Sequence, residues 1–561
     1  YKDLVKDFSG NFSVDYAIHG FEDLHIIANL AGNLTLDRPK QEQSRFSTSN
    51  YYYGYRGWNK NDHYNNLFNI TAQYTKDIKD IHHVDALVGY EWQRYRTVTD
   101  WYGYGTYPAT SPYAGERHDA PTTLTLYKTE NRLRSYFGRL NYTLLDRYLL
   151  TFTMRADGSS RFAKGNEWGY FPSAAFAWRI KEEAFLRDNN TISDLKLRLD
   201  YGITGQQNGI EDFYYLPVFT NNYDHAFYPL FGNGVTSRPE GYNLDLTWEK
   251  TTTYNVGLDL SLWNDRFSLN ADWYYRKTKD LISDIYVPAG SNFEQRIKGN
   301  IGSLHNTGVE VMATVRPIVN KNWNWEVTYN FAYNKNKIDD LASAIIMHGP
   351  SVGSIGAQAQ AYSVGHSASA FYVYQQVYDA NGKIIPGQFV DRNGNGYIDT
   401  DDRYFYYRAD PDVTMGLGTK VTYKNWDFSV NTRASFGNHV FNHITEGMSN
   451  IGTAGWSWQL EYLSNKVKDV LKYNITAPTD IQAQSDCWIQ NASFFKLDNI
   501  TLGYSFKKLF GNNISGRVYA TVQNVLTITN YDGLDPEIQD GVEGSFYPRP
   551  FTSILGVSLN F

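Results

Sequence analysis

The sequence predicts an all-β fold, a transmembrane antiparallel β-barrel, and three observations carry that prediction. Strand after strand alternates apolar and polar residues at period two. Aromatics make up 16% of the 561 residues, including 46 Tyr and 14 Trp, against 20% charged. The last stretch, Phe551 to Phe561, is an amphipathic strand that runs to a C-terminal phenylalanine.

The alternation is explicit in chain order. Leu195, Leu197, Leu199, Tyr201 and Ile203 alternate with Lys196, Arg198, Asp200 and Gly202. Tyr254, Val256, Leu258, Leu260 and Leu262 form the apolar set of the next run. Phe267, Leu269, Ala271, Trp273 and Tyr275 form that of the one after. The link between these two runs is WNDR, whose Asn264-Asp265 is a tight-turn dipeptide, so together they read as a hairpin. Val309, Val311, Ala313 and Val315 stand against Glu310, Thr314 and Arg316. Trp325, Val327, Tyr329, Phe331 and Tyr333 alternate with Glu326, Thr328, Asn330 and Ala332, and Trp426, Phe428 and Val430 with Asp427, Ser429, Asn431 and Arg433. In the final run Phe551, Ser553, Leu555, Val557, Leu559 and Phe561 share a face, and Ile554 breaks the opposite one. Several runs continue for about 9–12 residues, the length a tilted strand needs to cross a bilayer. Roughly 14–16 strands are expected.

Short links alternate with long insertions, expected at about residues 95–129, 205–247, 283–302, 338–391 and 439–486; this is the asymmetry of a barrel with short periplasmic turns and long outer loops. The mean hydropathy of −0.50 fits strands that are apolar on one face only. No run of about 18 apolar residues exists, which excludes a helical membrane protein. Net charge is −7, so there is no basic footprint for nucleic acid. The single Cys487 excludes a disulfide framework. No HExxH, GxSxG or phosphate-loop pattern occurs, so no enzyme is expected. No signal peptide opens the chain, and the expectation is therefore that its natural beginning is missing.

Longer blocks carry a resemblance. SYFGRLNYTLLDRYLLTFTMRADGSSRFAKGNEWGYFPSAAFAWRI (135–180), LRLDYGITGQQ (197–207), LTWEKTTTYNVGLDL (246–260), NIGSLHNTGVEV (300–311), FFKLDNITLGYSF (494–506) and VYATVQNVLTITNYDGLDPE (518–537) resemble, in order, the SusC/RagA family of TonB-dependent outer-membrane transporters of Bacteroidetes. The likeness runs from about residue 70 to the end. It implies that residues 1–561 are the C-terminal portion of a 22-stranded barrel in the bacterial outer membrane, with the plug domain and opening strands absent from this chain. It also implies a SusD-like lipoprotein lid, TonB acting through the absent N-terminal part, and active import of oligosaccharides, or of peptides in some members. A passive channel and a barrel subunit of a larger outer-membrane assembly are the rival readings.

Two candidate sites stand out. DRNGNGYIDTDD (391–402) matches a calcium loop, with Asp391, Asn393, Asn395, the Tyr397 carbonyl, Asp399 and Asp402 at the ligand positions and Gly396 at the sharp turn. Asp402 replaces the usual bidentate Glu, and no flanking helices are evident. Aromatic clusters at 51–58, 101–108, 213–219 and 403–408 fall in expected outer loops. Of these, Trp101, Tyr102, Tyr104, Tyr214 and Tyr215 are the candidates for stacking on a substrate, set against the plainer reading of interface girdle or loop packing.

Overall fold

The computed structural model describes residues 2–44, 55–106, 117–119, 127–222, 236–288, 290–292, 294, 296–353, 356–449, 473, 475, 479–509, 514–544 and 547–560. Residues group into two compact units, Tyr1–Ala177 with Asp200–Thr253 and Thr278–Ile301, and Trp178–Leu199 with Tyr254–Lys277 and Gly302–Phe561.

In the first unit, β1 (Val5–Ile18), β2 (Phe21–Asp37), β3 (Tyr55–Ile78), β4 (His82–Thr106), β5 (Tyr127–Leu144) and β6 (Tyr148–Ser159) form an antiparallel ladder in chain order. Four further strands follow in the chain and are divided between the two units: β7 (Trp168–Arg179), β8 (Ile192–Gln206), β9 (Glu249–Leu262) and β10 (Phe267–Lys279). The second unit carries a second ladder in chain order: β11 (Ser303–Val319), β12 (Trp323–Asp340), β13 (Val413–Tyr423), β14 (Trp426–Phe436), β15 (Phe494–Leu509), β16 (Ile514–Thr529) and β17 (Thr552–Asn560). Among the described residues these are seventeen strands of nine residues or more, one beyond the range that alternation predicts.

The apolar face of each ladder is bare. Val88, Tyr136, Leu140, Leu150, Phe152 and Met154 are exposed on neighbouring strands of the first ladder, and Leu417, Phe428, Leu502, Val518 and Leu555 on those of the second. A water-soluble sheet would bury such a face; strands in lipid present it. Aromatics mark one border of it: Trp323 packs on Tyr423 and Trp426 on Tyr504, with ring centroids 4.2 and 4.8 Å apart.

Each unit has tight turns at one end of its strands. Residues 79–81, 145–147, 263–266 and 424–425 connect strands, and Lys79, Asp80, Leu145, Asp146, Trp263, Asn264, Asp265 and Lys424 all take positive φ between 52° and 61°. The WNDR link is among them. Successive left-handed residues give the twist that right-twisted hairpin strands require. At the other end the connections are long, and some differ from expectation. β4 stays paired with β3 as far as Gly105, so residues 95–106 are ladder, not loop. A strand of 24–25 residues spans about 80 Å, far more than a bilayer needs, so these strands continue beyond the hydrocarbon.

The connections 341–412 and 437–493 also have structure of their own. A four-stranded sheet forms from Ile346–Val352, Ala357–Tyr362, Ala370–Val373 and Tyr404–Arg408. Val352, Phe371, Val373, Phe441, Trp488 and Val542 pack into a shared core, drawing on three separate connections. Connections this long are seldom structureless, because unpaired backbone groups and unburied apolar side chains both cost free energy.

The block at 135–180 has a packing reason. Gly158 lies against the Trp168 ring, and a Cβ at Gly169 or Gly205 would overlap the ring of Phe171. Phe171 sits edge-on to Trp248, within a core that includes Phe162, Ile210 and Leu246. The glycines are there to let aromatic rings lie flat on the backbone.

Candidate functional site

The polar faces carry the charges as cross-strand networks. In the first unit Arg155 donates to Glu91 at 3.0 Å, to Asp157 at 2.7 Å and to Ser135 at 2.8 Å, while Asp85 accepts from Gln73 and Asn141 at 2.6 and 3.0 Å. In the second unit Arg198 bridges Asp259 and Asp272 at 2.9 and 3.0 Å. The two arginines are partly solvated while Ser135, Asp85 and Asp157 are buried, and such half-solvated pairs contribute about 1 kcal/mol each. Their consequence in each unit is a hydrophilic face of fixed charges, suited to a polar solute.

At the loop end of the second ladder the network thickens. Lys496 on β15 donates to Asp535 at 2.8 Å and to Glu537 at 3.1 Å. Arg549 reaches the same two carboxylates at 3.0 and 2.7 Å. Arg433 on β14 binds Asp498 at 2.9 Å and also Glu537. Three cations and three anions thus pin the 530–551 connection onto the strand ends. Glu543, fully buried, completes the fold of that connection by accepting from Tyr531 Oη at 2.7 Å and from Leu534 N at 2.6 Å. A cavity of about 570 Å³ opens beside it, lined by Arg433, Asn438, Phe494, Glu537 and Arg549 among others. Its size and its paired polar groups suit a sugar or a short peptide segment. Sequence reasoning missed these residues. The available signal was the acidic run LDPEIQD beside strand-end Lys and Arg on polar-face positions.

The sequence candidates fall elsewhere. Trp101, Tyr102 and Tyr104 continue β4, with backbone partners Asn59, Trp58 and Arg56; their side chains lie outside the described residues. Tyr214 is tethered: its hydroxyl accepts from Lys298 N at 2.8 Å, it packs against the Phe162–Trp248 core, and burial pushes its pKa up. Tyr215 beside it is half-buried. In the 403–408 cluster, Tyr404 donates to Asp486 at 2.7 Å and Tyr406 packs on the loop core, so both are structural. Tyr407 is exposed and stacks on His439, centroids 3.9 Å apart and 6° from parallel. The cluster at 51–58 lies largely outside the described side chains.

In the 391–402 loop the Asp391 carboxylate accepts from Gly394 N at 2.6 Å and Gly396 N at 2.8 Å. Asn393 and Asn395 accept from Asn395 N and Tyr397 N at 3.0 and 2.8 Å. Asp402, fully buried, accepts from Arg392 N at 2.7 Å and Asp399 N at 2.9 Å. The N–H of Asp399, with those of Arg392 and Asn393, holds the Asp402 carboxyl below the ordinary carboxylate range. The side chains therefore already fold back on their own loop. Among the described residues no three His, Cys, Asp or Glu side chains converge as metal ligands. The oxygens of Asp391 and Asp399 each accept one hydrogen bond and retain a lone pair, whereas Asp402 Oδ1 accepts from both Arg392 N and Asn393 N and retains none, so the loop fits a weak cation contact and not a preformed cage.

Comparison with known proteins places this architecture. The family described as "TonB dependent receptor-like, beta-barrel" matches residues 3–525. The TonB-dependent receptor SusC of Bacteroides thetaiotaomicron is 45% identical over 99% of this chain and 56% of its own length. The TonB-dependent receptor P3 of Formosa agariphila is 29% identical over 86% of this chain and 51% of its own. The chain thus spans about half the length of the curated relatives it matches. Among solved structures, the RagAB peptide importer in its closed-closed state superposes with a TM-score of 0.78 at 25% identity, covering all of this chain and 63% of the other.

Proposed function

Because the chain belongs to the TonB-dependent receptor-like β-barrel family of the outer membrane, we propose that it is the barrel portion of an active importer of oligosaccharides, working with a SusD-like lipoprotein lid and driven through TonB. The observation that supports this most is 45% identity to SusC along 99% of the chain. The family is one of receptors, not enzymes, and no bond chemistry is assigned to any residue. On this reading substrate enters among the ordered loops, meets the cavity beside Arg433 and Arg549, and crosses along the paired charges of the polar face. Peptide import is the second reading, favoured by the structural likeness to RagAB.

The test is uptake by cells carrying the whole receptor, with labelled oligosaccharide and peptide pools run in parallel. Oligosaccharide uptake abolished by a proton uncoupler is expected. Uptake of peptides alone selects the second reading, and uncoupler-insensitive uptake indicates a passive channel and refutes both. Trp101→Ala, or a change at Tyr102, Tyr104, Tyr214 or Tyr215 that spares barrel abundance, is expected to lower uptake if these rings touch substrate. For the 391–402 loop we propose calcium binding with a Kd on the order of 10⁻⁴–10⁻³ M, the range of weak extracellular sites. Calorimetry that shows no heat at several times that concentration would remove it.

A further inference from the structure

The apolar face of β12 has measurable borders. Trp323, Trp325, Val327, Tyr329, Phe331 and Tyr333 lie on one face, with Trp323 and Tyr333 at its two ends. Ten residues of strand, tilted by about 40°, rise roughly 25 Å, the height of the apolar band of outer-membrane barrels. The next two residues on that same face are Lys335 and Lys337. The register holds through them, since Tyr333 pairs with Val309, Lys335 with Thr307 and Lys337 with His305. They therefore stand roughly 5 and 10 Å above the aromatic border, at headgroup depth. They do so at the long-loop end of the strand, which in a barrel of this asymmetry faces the outer leaflet.

Neither lysine has an ion-pair partner among the described residues. Both line a cavity of about 380 Å³ with Arg408, Asp412, His366 and Tyr407. Its loop wall is held to the strand by the Ile338 N–H donating to the His366 carbonyl and Ala368 N donating to Asn336 Oδ1, each at 2.8 Å. His366 stacks on Phe405 at 3.8 Å; burial, with Lys337 nearby, keeps its pKa below the ordinary imidazole value, so it adds no charge to the lining near pH 7. Arg408 pairs with Asp412, the one carboxylate in the lining. Two unpaired ammonium groups remain. Farther along the rim Lys277 and His305 share Asp339, at 3.5 and 2.7 Å, and leave no comparable excess.

We propose that this cavity binds the phosphate of an anionic lipid of the outer leaflet. Lysines serve phosphate as point charges, and these two continue the lipid-facing row of β12, whereas the cations beside the other cavity, Arg433 and Arg549, are already paired with carboxylates. The inference rests on the barrel and its orientation, and is independent of what is imported.

The test is native mass spectrometry of the whole receptor in detergent. Probes are a phosphorylated lipid A, its dephosphorylated form, and inorganic phosphate. The phosphorylated lipid is expected to bind and the dephosphorylated one not, with affinity falling on the order of 20-fold in Lys335→Gln/Lys337→Gln. Heat-modifiable gel mobility checks folding. If the double variant loses it, Lys335→Gln and Lys337→Gln singly carry the measurement, each expected to weaken binding severalfold. Equal binding of both lipids, or unchanged binding by the folded variants, overturns the proposal. Full competition by millimolar phosphate would mean a site for soluble anions and also overturns it.

Discussion

Asp535→Asn removes one charge from the centre of the network that pins the 530–551 connection. Lys496 and Asp535 are each 7% exposed, so the pair is essentially desolvated. Removing one partner of a buried pair costs about 3–5 kcal/mol, most of it from the stranded charge. Here Glu537 stays within 3.1 Å of Lys496 and 2.7 Å of Arg549, so neither cation is fully stranded. The expected cost is therefore below that range, about 2 kcal/mol, or roughly a 30-fold rise in the open population. Limited proteolysis within 530–551, read by mass spectrometry, tracks that population when closing outpaces cleavage. A rate change below about threefold, with gel mobility of the barrel unaltered, would refute the reasoning. So would a Lys496→Met/Asp535→Leu variant no more resistant than Asp535→Asn, since removing both charges should relieve the desolvation penalty.

Three other outcomes are expected. Trp488→Ala empties the middle of the loop core, breaks the Nε1 bond to the Gln482 carbonyl at 2.8 Å, and should cost on the order of 3–5 kcal/mol, seen as proteolysis of the 437–493 connection without loss of the barrel. Burial pushes the Asp486 carboxyl up, against the Gln376 N–H and the Tyr404 hydroxyl. A raised pKa means that the folded form holds its proton more tightly. The resulting stability is full below the ordinary carboxylate range and is lost as pH rises through the folded value. The loop cluster should thus resist protease better near about pH 4 than at about pH 7, and Asp486→Asn should flatten that difference. Gly205→Ala drives a methyl into the Phe171 ring and should lower the heat-modification temperature, at a cost of about 1–3 kcal/mol.

The strands were legible because a lipid-facing strand cannot hide its alternation: within the bilayer span, every second residue of β9, β10 and β12 had to be apolar. Strand ends were not, since above the bilayer the constraint lapses. β4 continues through TDWYGYGT, where aromatic and polar residues no longer take sides. The loop core was illegible for another reason. Val352, Phe441 and Val542 come from three connections, and no local pattern announces that they meet. The calcium-like loop was visible as spacing, but spacing does not reveal that its own N–H groups occupy the carboxylates. The ion network needed both the strand register and the fold of the 530–551 connection, and a sequence displays neither.

That three-part core also imposes an order of assembly. Phe371 lies between β12 and β13, Trp488 between β14 and β15, and Val542 between β16 and β17. Only Val542 comes from the last of these connections, so the core is complete only when that connection is present, and its contacts with Val352 span nearly two hundred residues of chain. Contacts of such separation are slow to close. This loop core is therefore complete only after the final hairpin is in place, and its full protection from protease would report, from outside the cell, that the C-terminal strands have been inserted.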